Sequence, residues 1–390
     1  MFGSISARCH RFAPWQGKSG IRLAAKLAVL LAVLGLATTA RAGDVAPEPH
    51  RLRVVGGLAG VSQHVRFEVP FWTRELEQLS GGRMTATVHP FDRSGLRGQD
   101  MLQLMRLGVV PFGTAILGVV SGDEPELNAV DLPGLNPNLA TLKRTVGSYR
   151  PHLARVLRER YDVELLGIYT YPAQVIFCRQ GFRGLGDLAG RRVRTSSVSQ
   201  SEMFERLGAI PVLVPFAEIV ASMSKGTVDC AVTGTLSGNE IGLAEVTTHM
   251  HNMAISWGLS VFAANSAAWE ALPADLRDVL RQGVASLEER IWAAADLDTE
   301  LGIACNAGRT VCPNGRVARL TIVPASAEDD AVRRRLLKNA VLPRWVERCG
   351  AECATIWNGT LAAVHEIVLD DRAVKVNGRA GRSPEQRLGQ

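Results

Sequence analysis

Short apolar segments alternate with longer amphipathic segments along most of this chain, and no other feature constrains the fold as strongly. Three strand patterns and two intervening helix patterns come first, at residues 52–55, 64–79, 84–88, 99–107 and 109–117. Strands and helices alternate again between residues 164 and 232, and residues 273–304 predict one long helix. Strands joined by helical crossovers favour mostly parallel sheets. The pattern therefore predicts an α/β fold with two lobes and two mostly parallel sheets, whose ligand binds at the carboxyl ends of strands.

The first 42 residues have the order of an export signal. Scattered basic residues precede an uninterrupted apolar run at 27–37, and Ala40-Arg41-Ala42 offers a cleavage site between small residues. The apolar run is too short to span a bilayer as a lasting helix. We therefore predict a signal peptide over residues 1–42, cleavage near Ala42, and a periplasmic mature chain without stable membrane insertion.

The net charge of the chain depends on this segment. The whole chain carries 44 basic and 38 acidic residues, a net charge of +6, which on its own could suggest a nucleic-acid partner. Six of the basic residues and none of the acidic ones lie within residues 1–42, which leaves 38 of each in the mature chain. A neutral mature chain has no overall field for phosphate backbones or anionic lipid, so we expect no nucleic-acid partner.

Six cysteines follow the predicted signal peptide, which fits an oxidising compartment. Cys305 and Cys312 flank a stretch rich in turn residues and are expected to pair. Cys349 and Cys353 complete this C-terminal cluster, whose four cysteines allow three connectivities; their predicted place on or near a helix makes a bridge between them harder. No histidine is interleaved among the four, so we expect no metal site, and the sequence indicates no cofactor. The other two cysteines lie in predicted strands and are interpreted as core residues: Cys178 and Cys230.

Several short motifs, each weak alone, follow one another in a fixed order between residues 50 and 300. DLAGRRVR at 187–194, GAIPV at 208–212 and KGTVDC at 225–230 are three of them. In order and spacing they resemble the solute-binding proteins of TRAP transporters, of the DctP type. The resemblance implies a periplasmic binding protein fold with hinge strands and a long helix in its C-terminal half. It also implies that the chain captures an organic acid and passes it to membrane permease subunits.

The resemblance assigns the main ligand contact to Arg194. In the family, an arginine at this position of the second lobe binds the ligand carboxylate through two parallel hydrogen bonds. Arg194 ends a predicted strand just before a turn of small residues, where a ligand can approach. The alternative is a surface arginine in a basic run with Arg191 and Arg192.

The other pocket positions that the resemblance assigns are mostly apolar in this chain. They are Thr233 with Thr235 nearby, Phe216, Ala173 beside Gln174, and Leu58. An unpaired buried polar ligand group costs roughly 1–3 kcal/mol. One cation, one or two hydroxyls and apolar walls therefore favour a monocarboxylate with an apolar or aromatic body over a sugar acid or a dicarboxylate.

Two further residues could contribute to the site. His64 follows the first strand and could face the cleft; the alternative is a surface histidine at the start of a helix. Trp257 lies near a predicted lobe crossing, where it could either pack in the hinge or stack on the ligand. The chain shows no paired carboxylates, triad or metal constellation, so we predict a receptor and not an enzyme. The alternatives are an exported receptor that signals to a partner, and an exported α/β enzyme.

The same patterns suggest the domain organisation. Lobe I is predicted over residues 43–170, with about 256–298 returning to it. Lobe II is predicted over 171–255, with about 299–370 added. The tail at 371–390 is rich in Arg, Gly and Gln and is predicted to be disordered.

Overall fold

The structure is a computed structural model that describes residues 48–309, 312 and 316–370. The predicted signal peptide and the predicted tail lie outside the described residues. The described residues from Pro49 onward belong to one compact unit. Among them, no helix combines the length and apolar character needed to cross a membrane.

The described residues contain eleven strands, which form two sheets. In chain order the strands are β1 His50–Gly56, β2 Met84–Pro90, β3 Phe112–Ile116, β4 Val163–Tyr169, β5 Gln174–Cys178, β6 Arg192–Thr195, β7 Ile210–Leu213, β8 Cys230–Gly234, β9 His249–Ser256, β10 Ser260–Asn265 and β11 Thr321–Val323. One sheet has the order β2-β1-β3-β10-β4, and the other has the order β11-β9-β5-β8-β6-β7. We call the parts built on these sheets lobe I and lobe II. The predicted two-lobed α/β fold is confirmed.

The strand directions are more mixed than the sequence pattern indicates. In lobe I, β1 runs parallel to β2 and β3, whereas β10 is antiparallel to β3 and β4. In lobe II, β5 is antiparallel to β8 and β9, and the remaining pairs are parallel. The antiparallel strands β10 and β5 are the ones that enter a sheet directly after the chain has crossed from the other lobe. A crossing strand approaches its new sheet from the opposite end, which accounts for its reversed direction.

Helices cover the faces of both sheets. The first helical stretch, α1, spans residues 62–79 and contains the π-helical turns Gln63–Glu68 and Phe71–Glu75. The others are α2 Met101–Arg106, α3 Leu117–Val120, α4 Leu139–Tyr161, α5 Val198–Arg206, α6 Ile219–Ser224, α7 Thr235–Glu240, α8 Ser266–Glu270, α9 Ala274–Asn306, α10 Ala327–Leu336, α11 Leu342–Cys349, α12 Ala351–Thr360 and α13 Ala362–His365. The long helix predicted at 273–304 is thus present as α9.

Helix α9 contacts both lobes along its length. Near its middle, Trp292 Nε1 donates a 2.8 Å hydrogen bond to the carbonyl of Ile168 in β4 of lobe I. Near its end, Asn306 Nδ2 donates a 2.9 Å hydrogen bond to the carbonyl of Thr235 in α7 of lobe II. At Gly302 a β-carbon would lie 2.2 Å from the backbone nitrogen of Leu236, so only glycine permits this close approach. The helix therefore packs on both lobes at once.

The chain passes between the sheets at two places. Residues 170–173 lead from β4 to β5, and residues 257–259 lead from β9 back to β10. Strand β11 joins the lobe II sheet after α9. The order in which the chain passes between the two sheets agrees with the predicted order. The predicted lobe boundaries stay a prediction, because the described residues from Pro49 onward pack as one unit.

Three disulfides connect the six described cysteines. Cys305 pairs with Cys312, as expected. Cys349 pairs with Cys353 across Gly350, where α11 ends and α12 begins, so the helix break supplies the freedom that a continuous helix would lack. The interpretation of the two strand cysteines as plain core residues is wrong. They are buried, but they lie opposite each other on the antiparallel strands β5 and β8 and form the third bridge, Cys178–Cys230.

Candidate functional site

Arg194 lies near the carboxyl end of β6, which runs parallel to both of its neighbours, β7 and β8. Its side chain is 3% exposed. Nε donates a 2.8 Å hydrogen bond to the carbonyl of Val214, and Nη1 donates a 2.6 Å bond to the carbonyl of Val232. No described carboxylate forms an ion pair with it. Burial lowers the pKa of Arg194 to about 9, so the guanidinium remains charged at neutral pH.

The neighbouring arginines have different surroundings. Arg192, on the same face of β6, forms an ion pair of 2.6 Å with Asp229 and is partly exposed. Arg191 is half-buried and donates to the backbone carbonyls of Gln180 and Gly181. A buried charge without a counter-charge is costly in a folded protein. Arg194 thus carries a positive charge that an incoming anion can neutralise, which is not the setting of a surface arginine.

Thr233 and Phe216 lie close to Arg194 in the fold. Arg194 is level with Ala231 of the parallel strand β8, so Thr233, two residues further on, shares its face of the sheet. Thr233 is buried, and its hydroxyl has no hydrogen-bond partner among the residues that the structure describes. Phe216 is half-buried and follows Val214, whose carbonyl binds Arg194. A cation, a hydroxyl and an aromatic ring are therefore brought to one end of the lobe II sheet.

Thr235 is placed differently, although it is only two residues from Thr233. It is fully buried, and its hydroxyl donates a 3.0 Å hydrogen bond to the carbonyl of Thr299 in α9. The hydroxyl therefore contributes to the packing of α7 against α9.

The crossing segments hold three further predicted residues. Ala173 N donates to the hydroxyl of Thr299 at 3.0 Å. Gln174 Oε1 accepts hydrogen bonds of 2.8 Å from Gln200 Nε2 and from the hydroxyl of Ser256. Trp257 is 2% exposed, and its indole nitrogen donates a 2.9 Å bond to a lobe I carbonyl, that of Asn136. Trp257 is therefore held against lobe I at the crossing segment.

Leu58 and His64 lie together after β1 in lobe I. Leu58 is buried, and its backbone N–H donates a 3.4 Å hydrogen bond to the hydroxyl of Tyr171. His64 is also buried, with Nδ1 at 2.8 Å from Oε2 of Glu68. Glu68 in turn accepts a 2.7 Å hydrogen bond from the backbone N–H of Gly57. His64 therefore belongs to a network at the start of α1 and is not a surface histidine.

The two lobes contact each other where these strand ends meet. Gly118, which follows β3 in lobe I, lies so close to Ser197, which follows β6 in lobe II, that a β-carbon added at Gly118 would be 3.4 Å from that of Ser197. On the same side, Ser62 of lobe I hydrogen-bonds to Glu240 of lobe II. The carboxyl ends of β1 and β3 thus face those of β6 and β8, and the two lobes are in contact at these points.

Sequence reasoning did not identify several polar residues at this junction. Ser197 caps α5 by accepting a 3.2 Å bond from the backbone of Gln200. Asn128, beside Gly118, is 1% exposed, and neither its Oδ1 nor its Nδ2 has a hydrogen-bond partner among the described residues. Asp131 accepts from three backbone N–H groups at the lobe crossing 257–259. No spacing rule marks an isolated asparagine or serine as part of a site, so the sequence contains no signal for them.

A cavity of about 530 Å³ opens beside the crossing segments. Ala173, Trp257 and Thr299 contribute to its walls, together with the charged residues Asp296 and Glu300. Arg194, Thr233 and Phe216 are absent from its lining. The cavity is therefore separate from the uncompensated guanidinium, and we take the latter as the candidate site. The described residues contain no group of three or more histidine, cysteine or acidic side chains that could hold a metal ion.

Known proteins resemble this chain in sequence and in fold. The model of the family described as bacterial extracellular solute-binding protein, family 7, matches residues 59–301. A curated relative from Albidiferax ferrireducens, a solute-binding protein, is 27% identical over 232 residues, which are 57% of this chain and 67% of the relative.

Solved structures share the fold at lower identity. An extracytoplasmic solute receptor of Bordetella pertussis that binds pyroglutamic acid has a TM-score of 0.70 and 20% identity, covering 79% of this chain and 98% of its own. A TRAP periplasmic solute-binding protein from Desulfovibrio salexigens, with bound orotic acid, has a TM-score of 0.71 and 14% identity. The match covers 81% of this chain and 99% of that protein's chain. At these identities the likeness concerns the fold alone.

Proposed function

This chain belongs to the bacterial extracellular solute-binding proteins of family 7, and from this membership we propose that it captures a carboxylate ligand between its lobes through Arg194. The family and the fold are those of substrate-binding receptors and not of enzymes. Receptors of this fold bind small organic acids, pyroglutamic acid and orotic acid among them. The chain is therefore a receptor of the TRAP type, and small organic acids are its class of ligand.

One observation carries the assignment of Arg194. The guanidinium is buried, is charged at neutral pH and has two backbone carbonyls but no carboxylate as partners. Hydrogen bonds from Nε and Nη1 fix its plane, which leaves Nη2 without a partner among the described residues. A carboxylate arriving from the inter-lobe gap would supply the missing counter-charge. Closure of the lobes around the pair excludes water and strengthens the attraction.

The surroundings of Arg194 support a monocarboxylate with a largely apolar body. The hydroxyl of Thr233 lies on the same sheet face as Arg194, and Phe216 offers a ring surface. A second carboxylate on the ligand would need a second cation, and both Arg191 and Arg192 already have partners. Keto acids and aromatic acids fit this set of groups best.

We further propose that the loaded receptor delivers its ligand to the membrane permease subunits of a TRAP transporter, in the periplasm. The family is extracellular by description, and the resemblance of the motifs extends over most of the described chain. Uptake of labelled ligand by cells that carry the permease genes, with and without this receptor, tests the delivery. Equal uptake in the two strains would contradict it.

A ligand screen tests the ligand class. Binding raises the thermal stability of a receptor by RT ln(1 + [L]/Kd), which is about 2.7 kcal/mol at a hundredfold excess over Kd. The panel contains benzoate, 4-methyl-2-oxopentanoate, succinate and sialic acid. We expect the first two to raise the melting temperature of the chain most. A clear preference for succinate or sialic acid would contradict the apolar monocarboxylate.

A further inference from the structure

The helical segment that follows β11 packs on both lobes. We call residues 327–365, which contain α10 to α13, the C-terminal strap; it lies beyond residue 301, where the family match ends. At the start of the strap, Asp329 accepts a 2.8 Å hydrogen bond from the backbone N–H of Leu185 in lobe II. Near its middle, Trp345 Nε1 donates a 2.7 Å bond to the carbonyl of Pro125 in lobe I. The strap therefore connects the two lobes outside the crossing segments.

Trp345 fixes α11 on lobe I. Its indole is fully buried and packs against that of Trp357 in α12, with the ring centres 5.9 Å apart. Trp357 stacks on His365 of α13, whose Nε2 lies 2.9 Å from the hydroxyl of Thr145 in α4. Together with the bond to Pro125, these contacts hold α11 to lobe I at two places.

Arg348, one turn after Trp345 on α11, contacts α5 of lobe II. Nε donates a 2.9 Å hydrogen bond to Oε1 of Glu202, and Nη2 donates a 3.1 Å bond to Oε2. Nη2 also donates a 2.9 Å bond to the hydroxyl of Ser199, which is fully buried. The side chains of Arg348 and Glu202 are 22% and 14% exposed, so solvent screens this two-point ion pair less than a surface pair. Arg348 therefore joins a helix fixed on lobe I to the first turn of a lobe II helix.

The same first turn of α5 holds the residues that follow Arg194. The hydroxyls of Thr195 and Ser201 lie 2.8 Å apart. Gln200 Oε1 accepts a 2.9 Å hydrogen bond from the backbone N–H of Ser196. Because Thr195 is the next residue along the chain from Arg194, a displacement of α5 shifts the end of β6 as well.

We propose that Arg348 is a positioning residue for the ligand site, which holds the segment that carries Arg194 in place relative to lobe I. The connection runs from Trp345 on lobe I to Arg348, and from there through α5 to Arg194. Without the ion pair, α5 loses its link to the strap, and a bound acid leaves the site faster. This inference rests on the proposed function, because the site that Arg348 positions is the carboxylate site of Arg194.

Hydrogen exchange of the ligand-free mature chain tests the positioning itself. In Arg348→Gln we expect the backbone amides of residues 195–203 to exchange at least about fivefold faster, and those of α9 to exchange as before. Glu202→Gln removes the same ion pair but leaves the strap unchanged, and it should have the same effect. Arg344→Gln, at an exposed arginine of α11, is the control. Unchanged exchange at 195–203 in the first two variants, or an equal increase in α9, overturns the inference.

The release rate of a bound acid tests the consequence for the site. The probes are benzoate and 4-methyl-2-oxopentanoate, followed by stopped-flow fluorescence of the tryptophans. We expect release about tenfold faster from Arg348→Gln and from Glu202→Gln, and no faster from the double variant, because all three lack the same ion pair. Release at the rate of the unchanged chain overturns the role of Arg348.

The two measurements separate this inference from the function on which it rests. Undiminished binding of both probes by Arg194→Met overturns the carboxylate site. Absence of binding to the unchanged chain contradicts the apolar monocarboxylate. In either case the exchange of residues 195–203, which needs no ligand, still decides whether Arg348 holds the segment. Faster exchange together with faster release supports both proposals.

Discussion

Ser62 and Glu240 form a two-point contact between the lobes. The hydroxyl of Ser62 donates a 2.6 Å hydrogen bond to Oε1 of Glu240, and its backbone N–H donates a 3.1 Å bond to Oε2. Ser62 follows β1 in lobe I, and Glu240 ends α7 in lobe II. Burial raises the pKa of Glu240 to about 7; the bonds from Ser62 and the charge of Arg66 act against this rise, and Asp298 adds to it.

This contact makes lobe closure sensitive to pH. We expect separation of the lobes to expose Glu240 to water and to return its pKa to the ordinary value near 4.5, whereas burial in this contact raises the pKa to about 7. Between these values the closed form holds more protons, so a rise in pH destabilises the closed form relative to the open one. Since ligand binding is coupled to closure, we expect affinity for an organic acid to fall as the pH rises from 5.5 to 8.

Calorimetric titrations at several pH values with Glu240→Gln test this pH dependence. The glutamine cannot ionise, so its affinity should vary less with pH than that of the unchanged chain. Glu218→Gln, at an exposed glutamate of the same lobe, should behave like the unchanged chain. An identical pH profile for Glu240→Gln would show that another group is responsible.

Two threonines, two residues apart, should respond in opposite ways to the same substitution. Thr233 has a free hydroxyl beside Arg194, so Thr233→Val should weaken binding of an organic acid about tenfold and leave stability unchanged. Thr235→Val removes the bond to the carbonyl of Thr299 and should lower the free energy of unfolding by about 1 kcal/mol. Titration calorimetry and urea denaturation of both variants measure the two effects. Equal effects of the two variants on affinity would contradict the assignment.

Asp131 should be important for the stability of the lobe crossing. Its carboxylate accepts from the backbone N–H groups of Trp257, Gly258 and Leu259. In Asp131→Asn one acceptor becomes a donor, which leaves at least one buried N–H unpaired and should cost about 1–3 kcal/mol. Urea denaturation measures this loss, with the exposed Asp123→Asn as the control. A midpoint that is the same in both variants would show that the crossing does not need this carboxylate.

The disulfides should differ in their contribution to stability. Loss of a bridge frees the unfolded chain more when the closed loop is longer. Cys178–Cys230 spans 52 residues and Cys305–Cys312 spans 7, which correspond to about 4 and about 2.5 kcal/mol in the chain-entropy account. Replacing both members of each pair by serine and measuring urea denaturation should therefore give the larger loss for the first pair. The reverse order would contradict the loop-length argument.

Local patterns in the sequence were sufficient to predict some elements and not others. Helix α9 was predicted within two residues, because its pattern is long and Pro273 marks its start. Helix α4 was not predicted, since Gly147 and Pro151 interrupt a segment that is also rich in arginine. Its buried side chains nevertheless recur at helical spacing, and tertiary packing compensates for the residues that disfavour a helix.

The residues of the candidate site likewise fall into those that the sequence predicts and those that it does not. Arg194 could be singled out because a motif surrounds it, and Thr233 and Phe216 follow from the same motifs. The pairing of Cys178 with Cys230 depends on the register of two strands that lie 52 residues apart, which no local pattern contains. Asn128 and Glu240 reach the junction of the lobes only through lobe contacts, so their neighbours are distant in sequence. Long-range contacts therefore determine the part of the site that the sequence does not predict.

The central claim is that the Arg194 guanidinium binds the carboxylate of the ligand. Titration calorimetry of Arg194→Met against Arg192→Met, with the acid that stabilises the unchanged chain most, tests it directly. Arg192 lies on the same face of β6 but already has Asp229 as its partner. We expect Arg194→Met to lose affinity more than about a hundredfold, since it removes a charged and buried partner, and Arg192→Met to bind almost normally. Undiminished binding by Arg194→Met would contradict the claim.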